Sequence, residues 1–214
     1  MRIGILSDIH GNAAGLACAL ERMGDVDELI CLGDVVEEYR FDNDAVALLR
    51  DREARCVLGN HDVGLLSAHG GRARNAPHVD QSLVAWLESQ PLAIDTTIAG
   101  KRLVITHASP CAPHTQYVLP HTKELKRIAD VDADVVMIGH THKQMVVPVG
   151  RPLVINPGSA GQARDHANGK RLSYGVLEVG GGNVHVDDVT IDNYTVDEHL
   201  AARGALCAIG NTTS

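Results

Sequence analysis

The chain has 214 residues, of which 44% are hydrophobic, 21% charged and only 3% aromatic. This balance fits a globular protein with an aliphatic core, a single domain over residues 1–214 with the tail frayed from about 204. A formal net charge of −8, without a block of like charges, disfavours general nucleic-acid binding and leaves any phosphate affinity to a local site.

The first segment, RIGILSD, reads as a buried strand, and GNAAGLACALERM as a helix with Leu16, Leu20 and Met23 on one face. DELICLGD is a second strand. FDNDAVALLRDRE is a helix with Asp42 or Asn43 as N-cap. ARCVLGNHD, through Asp62, reads as a third strand. HVDQSLVAWLESQP is an amphipathic helix stopped by Pro91, with Val79, Leu83, Trp86 and Leu87 on its apolar face. AIDTTIAGKRLVITHASP is a hairpin turning at Ala-Gly-Lys. HTKELKRIADV is a short helix capped by Thr122, and DVVMIGHTH is the next strand. KQMVVPVGRPLVINPGS is a second hairpin, turning around Val149–Pro152, and RLSYGVLEVGGGNVHVDDVTI a third, turning at GGGN. TVDEHLAARG closes the chain with a last helix. Strand–helix alternation followed by hairpins predicts an α/β fold, a layered αββα sandwich of two mixed sheets flanked by helices.

No run approaches the ~18 apolar residues of a membrane span, so no membrane association is expected. The five cysteines are odd in number and form no C-x-x-C pair, which reads as reduced structural thiols. The N-terminal stretch MRIGILSDIHG is charged too early for a secretory signal. Together these place the protein in the cytoplasm.

Metal-type side chains recur where apolar runs end: Asp8 and His10 after ILS, Asp34 after CLG, Asn60 and His61 after VLG, His107 after VIT, His140 and His142 after MIG. Ligand sites in largely parallel sheets gather outside the carboxyl ends of strands. Singly, each piece reads equally well as a turn or a core histidine. Five together would bury polar groups at a cost of several kcal/mol unless a partner such as a dimetal centre satisfied them.

The ordered motifs D-x-H, G-D, G-N-H-[DE], H and G-H-x-H resemble those of the calcineurin-like metallophosphoesterase superfamily. SDIHGN and NPGSAGQARD (residues 156–165) resemble its small prokaryotic branch. The resemblance covers roughly residues 1–180. It implies two divalent transition-metal ions, one held by Asp8, His10, Asp34 and His142, the other by Asp34, Asn60, His107 and His140, with Asp34 bridging. Oxygen and nitrogen donors without thiolate suit manganese foremost, with iron, zinc, nickel or cobalt as alternatives. The implied activity is metal-hydroxide attack on a phosphodiester or small nucleotide phosphate. A dinucleoside polyphosphate or phosphoprotein phosphatase is an enzymatic alternative, and a binding or scaffold protein on a decayed phosphoesterase fold a non-enzymatic one.

His61 follows Asn60 directly, so its ring should diverge from the metal toward the substrate. By resemblance it is the catalytic acid or transition-state donor. Asp62 and Glu37 are both candidates for its acid partner. Asn12 reads either as the N-cap of the first helix or as a group near the phosphate. Arg164 reads either as a substrate contact or as a partner of Asp165. His114 and His121 are placed near the cleft and the remaining histidines at the surface. The text after G-D, VVEEYRFDND, departs from the branch, whose members carry a Gly- and Pro-containing loop there. If Glu37 and Glu38 faced the site they would disfavour bulky polyanions.

Overall fold

The computed structural model describes residues 1–199, 201 and 202. The N-terminal half alternates strand and helix: β1 (Arg2–Leu6), α1 (Ala13–Met23), β2 (Glu28–Cys31), α2 (Asn43–Asp51), β3 (Arg55–Cys56), α3 (Asn60–Leu66), α4 (Gly71–Arg74) and α5 (Gln81–Glu88). The hairpin β4 (Ala93–Ile98) and β5 (Lys101–Thr106) leads to α6 (Lys123–Arg127), β6 (Val135–Met137), a second hairpin of β7 (Gln144–Pro148) and β8 (Leu153–Pro157), and then β9 (Leu172–Glu178) and β10 (Val189–Tyr194).

Among the described residues, ten strands form two mixed five-stranded sheets, ordered β10-β9-β1-β2-β3 and β4-β5-β6-β8-β7. β1, β2 and β3 are parallel to one another, as are β5, β6 and β8. Alternation along the strands sorts the side chains into layers. Ile3 and Ile5 of β1, Leu103 and Ile105 of β5 and Val135 and Met137 of β6 meet between the sheets. Leu6, with Leu16, Leu20 and Met23 of α1, lies on the outer face of the first sheet, under the helices. Val136 and Ile138 face outward from the second sheet onto Leu125 and Ile128. The αββα sandwich expected from the sequence is therefore the fold.

Local capping explains the helix starts. Asn12, Asp42, Asp80 and Thr122 each accept a backbone N–H from the first turn of α1, α2, α5 and α6. Three expectations need correction. The third strand stops at Cys56, and Asn60 and His61 open α3 instead, because Asp62 folds back to accept the Gly59 N–H at 2.9 Å and closes the first turn. The four-residue α4 was not expected, since a stretch so short carries no apolar period. The β9–β10 connection is wider than a turn at GGGN, running from Val179 to a short 3-10 turn at Val186–Asp188. Helix is present at residues 198–199 and 201–202, within the last expected helix; the expected fraying from about 204, and Cys207, lie outside the described residues.

The inter-sheet layer fixes how the two sheets sit, so truncating it should act on the whole molecule. Leu103→Ala should lower stability by roughly 2–5 kcal/mol. A urea unfolding curve checks this.

Candidate metal centre

Parallel strands bring their carboxyl ends to one edge of the sandwich. Asp8 and His10 follow β1, Asp34 follows β2, Asn60 and His61 follow β3, His107 follows β5, and His140 and His142 follow β6. Five of these residues have left-handed backbone: Asp8 (φ 53°), His10 (50°), Asp34 (53°), His140 (65°) and His142 (56°). Such a conformation costs of order 1 kcal/mol or more for a residue with a side chain, though Asp and His tolerate it better than most. Strain concentrated at one edge marks a place where the fold gives up local preference to aim side chains inward.

The ligand-type atoms converge in two adjoining groups, Asp8–His10–His142 and Asp34–His107–His140, each within 4.8 Å. His10 Nε2 lies 3.2 Å from His142 Nε2, and His142 Nε2 lies 3.3 Å from Asp8 Oδ1. On the other side His107 Nε2 lies 3.2 Å from Asp34 Oδ2 and 3.1 Å from Asn60 Oδ1. The same Asp34 Oδ2 is 3.9 Å from His10 Nε2, so one carboxylate oxygen reaches toward both groups. His61 also comes close: it forms a third group with His10 and Asp34, and its ring meets that of His10 edge-on at 4.8 Å.

The donor chemistry fits cations. His107 Nδ1 donates to the Leu32 carbonyl (2.7 Å) and His142 Nδ1 to the Gln162 carbonyl (3.1 Å), which leaves each Nε2 facing inward. His10 Nδ1 faces the Glu37 carboxylate at 3.4 Å. With its Nδ1 proton spent on Gln162, neutral His142 turns an Nε2 lone pair toward His10 Nε2, while buried His10 Nδ1 has no hydrogen-bond partner. Buried Asp8 Oδ1 has no hydrogen-bond partner. Converging ring nitrogens beside unpartnered buried polar atoms are the donor set a cation would satisfy.

Burial holds the histidines neutral: His10 is pushed down to about 3, and His140 and His142 each to about 4. Burial also pushes Asp8 up to about 7. Burial raises Asp34 too, but the hydrogen bond and charge of His107 outweigh it and bring Asp34 down to about 2. Burial works against the charge on His107, yet Asp34 holds it at about 9. Without a cation the site thus keeps a proton on Asp8 and another between Asp34 and His107.

Close backbone approach makes this convergence feasible. A Cβ on Gly59 would lie 2.1 Å from Asp34 Oδ1, and one on Gly139 would lie 2.0 Å from Ser7 Oγ and 2.9 Å from Asp8 Oδ2. Backbone N–H groups grip the carboxylates: His61 N–H donates to Asp34 Oδ1 at 2.8 Å, and His140 N–H to Asp8 Oδ2 at 3.1 Å. Ser7 Oγ–H adds a 2.6 Å bond to the same Asp8 oxygen.

The two acids considered for His61 are separated by the geometry. Glu37 lies 3.4 Å from His61 Nδ1 as well as beside His10. Asp62 is fully buried and turned away, accepting the Val36 and Gly59 N–H groups. Asn12 spends its carboxamide on the scaffold, accepting from Gly15 N and donating to the Gly161 carbonyl. Arg164 is exposed and lies near enough to His10 and His142 to depress both, while Asp165 accepts the Gln144 and Ala167 N–H groups instead of pairing with it. His114 is exposed on the loop after His107, its Nδ1 at 3.2 Å from the Ser109 carbonyl, and His121 lies exposed further along that loop.

Sequence reasoning missed three features. Tyr117 stacks on His140 with ring centroids 4.0 Å apart. Buried Asn156 donates to the Gly139 carbonyl at 2.8 Å and to Thr141 Oγ1 at 3.0 Å, bracing the loop that carries both histidines. Gln162 binds Glu37 at 2.5 Å. NPGSAGQ was visible as a motif, but only as a turn.

Comparison with known proteins agrees with this geometry. The model for the calcineurin-like phosphoesterase superfamily domain matches residues 1–182. The chain belongs to that superfamily, and is a hydrolase acting on phosphate ester bonds. It is 29% identical to an uncharacterized protein of Methanocaldococcus jannaschii, covering 82% of each chain. It is 34% identical, over 58% of its length, to a symmetrical bis(5'-nucleosyl)-tetraphosphatase of Paracidovorax citrulli, of which it spans only 51%. A metallophosphoesterase from Sphaerobacter thermophilus superposes with a TM-score of 0.70 at 25% identity, over 100% of this chain and 98% of that one. Among the described residues no helix is long and apolar enough to cross a membrane.

Metal loading must displace the protons held by Asp8 and by His107, whereas the three depressed histidines have none to lose. Loading with Mn²⁺ should release about one to two protons near pH 6.5 and about one near pH 8, so affinity falls as pH drops through 7. Calorimetry in buffers of different ionisation enthalpy measures that number.

Proposed function

We propose that the protein is a dinuclear, metal-dependent phosphoesterase that cleaves a phosphodiester or the phosphate of a small nucleotide. The observation that supports this reading is Asp34, whose single Oδ2 reaches toward the donor groups of both sides. In this reading Asp8, His10, Asp34 and His142 hold one ion, and Asp34, Asn60, His107 and His140 the other. Manganese is the first choice, with iron, zinc, nickel or cobalt as alternatives. Bound ions supply charge neutralisation at the phosphate and acidify the attacking water.

The chain's own residues do the rest. Backbone N–H groups of His61 and His140 fix the two carboxylates, so the donors need no rearrangement. His61, about one-third exposed, stands at the mouth of the site with Nδ1 toward Glu37. With Nδ1 on the Glu37 side, Nε2 is the ring nitrogen left to hand a proton to the leaving oxygen. Glu37 couples this ring to His10, and Gln162 locks Glu37 in place. A second reading, hydrolysis of a dinucleoside polyphosphate, is favoured by the similarity to symmetrical bis(5'-nucleosyl)-tetraphosphatases.

The test is a screen of the Mn²⁺-loaded protein against mono-, di- and cyclic nucleotides, diadenosine tetraphosphate and bis-p-nitrophenyl phosphate, with bound metal measured alongside. Intact metal binding with no turnover of any ester would sink the hydrolytic reading. Asp34→Asn should lower the rate by roughly a thousandfold or more and lose bound metal. Near-normal turnover would refute the shared role. His61→Ala should keep both ions and lose roughly 10²–10³ in kcat. Loss of metal would instead assign His61 to the ligand set with His10 and Asp34.

A further inference from the structure

The loop that departs from the family pattern touches the metal centre at one end and lines a cavity at the other. Glu37 and Arg40 exchange backbone hydrogen bonds, both 3.2 Å, which closes residues 37–40 into a tight turn. One end of that turn sends Glu37 to His10 and His61. The other end, Tyr39, Arg40 and Phe41, lines a cavity of about 510 Å³ whose far wall includes His69, Arg72 and His78. Its size falls within the roughly 300–1,000 Å³ of small-molecule sites.

The composition of this cavity is unlike that of the chain around it. In a protein of net charge −8, its lining holds two arginines and two histidines and no acid. The glutamates of the loop stay outside that lining. Glu37 lies against the two histidines, and Glu38 runs so close over Gly64 that a Cβ there would meet its Cγ at 2.7 Å. Glu37 is thus turned to the centre, while Glu38 also accepts a hydrogen bond from the Tyr39 hydroxyl and stands at the Tyr39 edge of the cavity, outside its lining.

Arg40 joins the cavity to the centre. Its Nη2 donates to the His10 carbonyl at 3.0 Å, which fixes the guanidinium over Gly11 and leaves further N–H donors for a ligand. Tyr39 is 67% exposed, and Phe41, 5% exposed, forms a buried floor. An exposed aromatic ring in a lining that also holds two guanidiniums matches a planar base joined to phosphate. A bare phosphate would leave the ring without a role, and an extended phosphopeptide would need a groove longer than this cavity.

We propose that this cavity is a nucleoside-phosphate subsite, with the base against Tyr39 and a phosphate held by Arg40 and Arg72 next to the metal centre. It deepens the phosphoesterase reading and rests on it for the reacting phosphate. It makes the substrate a nucleotide and gives the departing loop a function.

The experiment titrates Mn²⁺-loaded protein by calorimetry with adenosine 5′-(α,β-methylene)diphosphate and, separately, with methylenediphosphonate. The nucleoside-bearing probe should bind roughly tenfold tighter. Tyr39→Ala should remove most of that advantage, Tyr39→Phe should retain it, and Arg72→Ala should weaken the nucleotide probe about fivefold or more. Equal affinity of the two probes in the wild type, or an unchanged advantage in Tyr39→Ala, overturns the proposal. So does tighter binding of a phosphoserine peptide than of the nucleotide probe. A nucleoside advantage that persists in a protein turning over no ester would sink the hydrolytic reading and support the subsite.

Discussion

Asp34 sits where the exit of β2, the start of α3 and the exit of β5 meet. Its Oδ1 takes the His61 N–H, and its Oδ2 stands 3.2 Å from His107 Nε2. A carboxylate this buried is tolerated only because a backbone donor and an imidazole replace water around it. The neighbouring backbone must come very close to do so, and Gly59 permits it: any side chain there would overlap Asp34 Oδ1. Gly139 stands in the same relation to Asp8. The motifs G-N-H-D and G-H-T-H are therefore single devices, in which the glycine admits a carboxylate and the residues after it deliver a donor.

That constraint reaches into the fold. Asp8, His10, Asp34, Asn60 and His61 leave one sheet, and His107, His140 and His142 leave the other. Convergence to a few ångströms therefore depends on how the two sheets sit on each other. The inter-sheet layer of Ile, Leu, Val and Met sets that relation. Outside it, the segment from Asn156, near the end of β8, to Gln162 acts as a brace. Asn156 holds the Gly139 carbonyl, Ser159 Oγ–H donates to the Asp8 carbonyl at 2.7 Å, and the Gln162 carbonyl accepts from His142. One stretch of chain thus secures loops from both sheets.

Much of this was legible in the sequence, and the exceptions have physical causes. Apolar runs of strand length, helical spacing and Gly-bearing turns revealed the order of elements, because each rests on local patterning. Polar residues at the ends of those runs pointed to the shared edge, because parallel strands bring their ends together. GNHD misled as a strand end. A two-residue strand has no periodicity, and the back-bond from Asp62 to Gly59 depends on a buried side chain that serves equally well in other roles. The choice between Asp62 and Glu37 was hidden for the same reason: both lie close to His61 in space or sequence, and only the turn at 37–40 decides which faces it. Tyr117 stacks on His140 from a loop that carries no pattern.

The placement of roles along the chain has a consequence for how such a site can change. The proposed ligands sit on strand exits whose backbone is fixed by sheet register, glycine contacts and left-handed turns. A substitution there disturbs several groups at once. The 37–41 turn is different. It touches the centre through Glu37 and the Arg40–His10 bond, while Tyr39 stays exposed. Tyr39 can therefore vary without moving a metal donor. The same fold can then keep one hydrolytic centre and alter what is offered to it, and a departure from the family pattern is best tolerated on this loop.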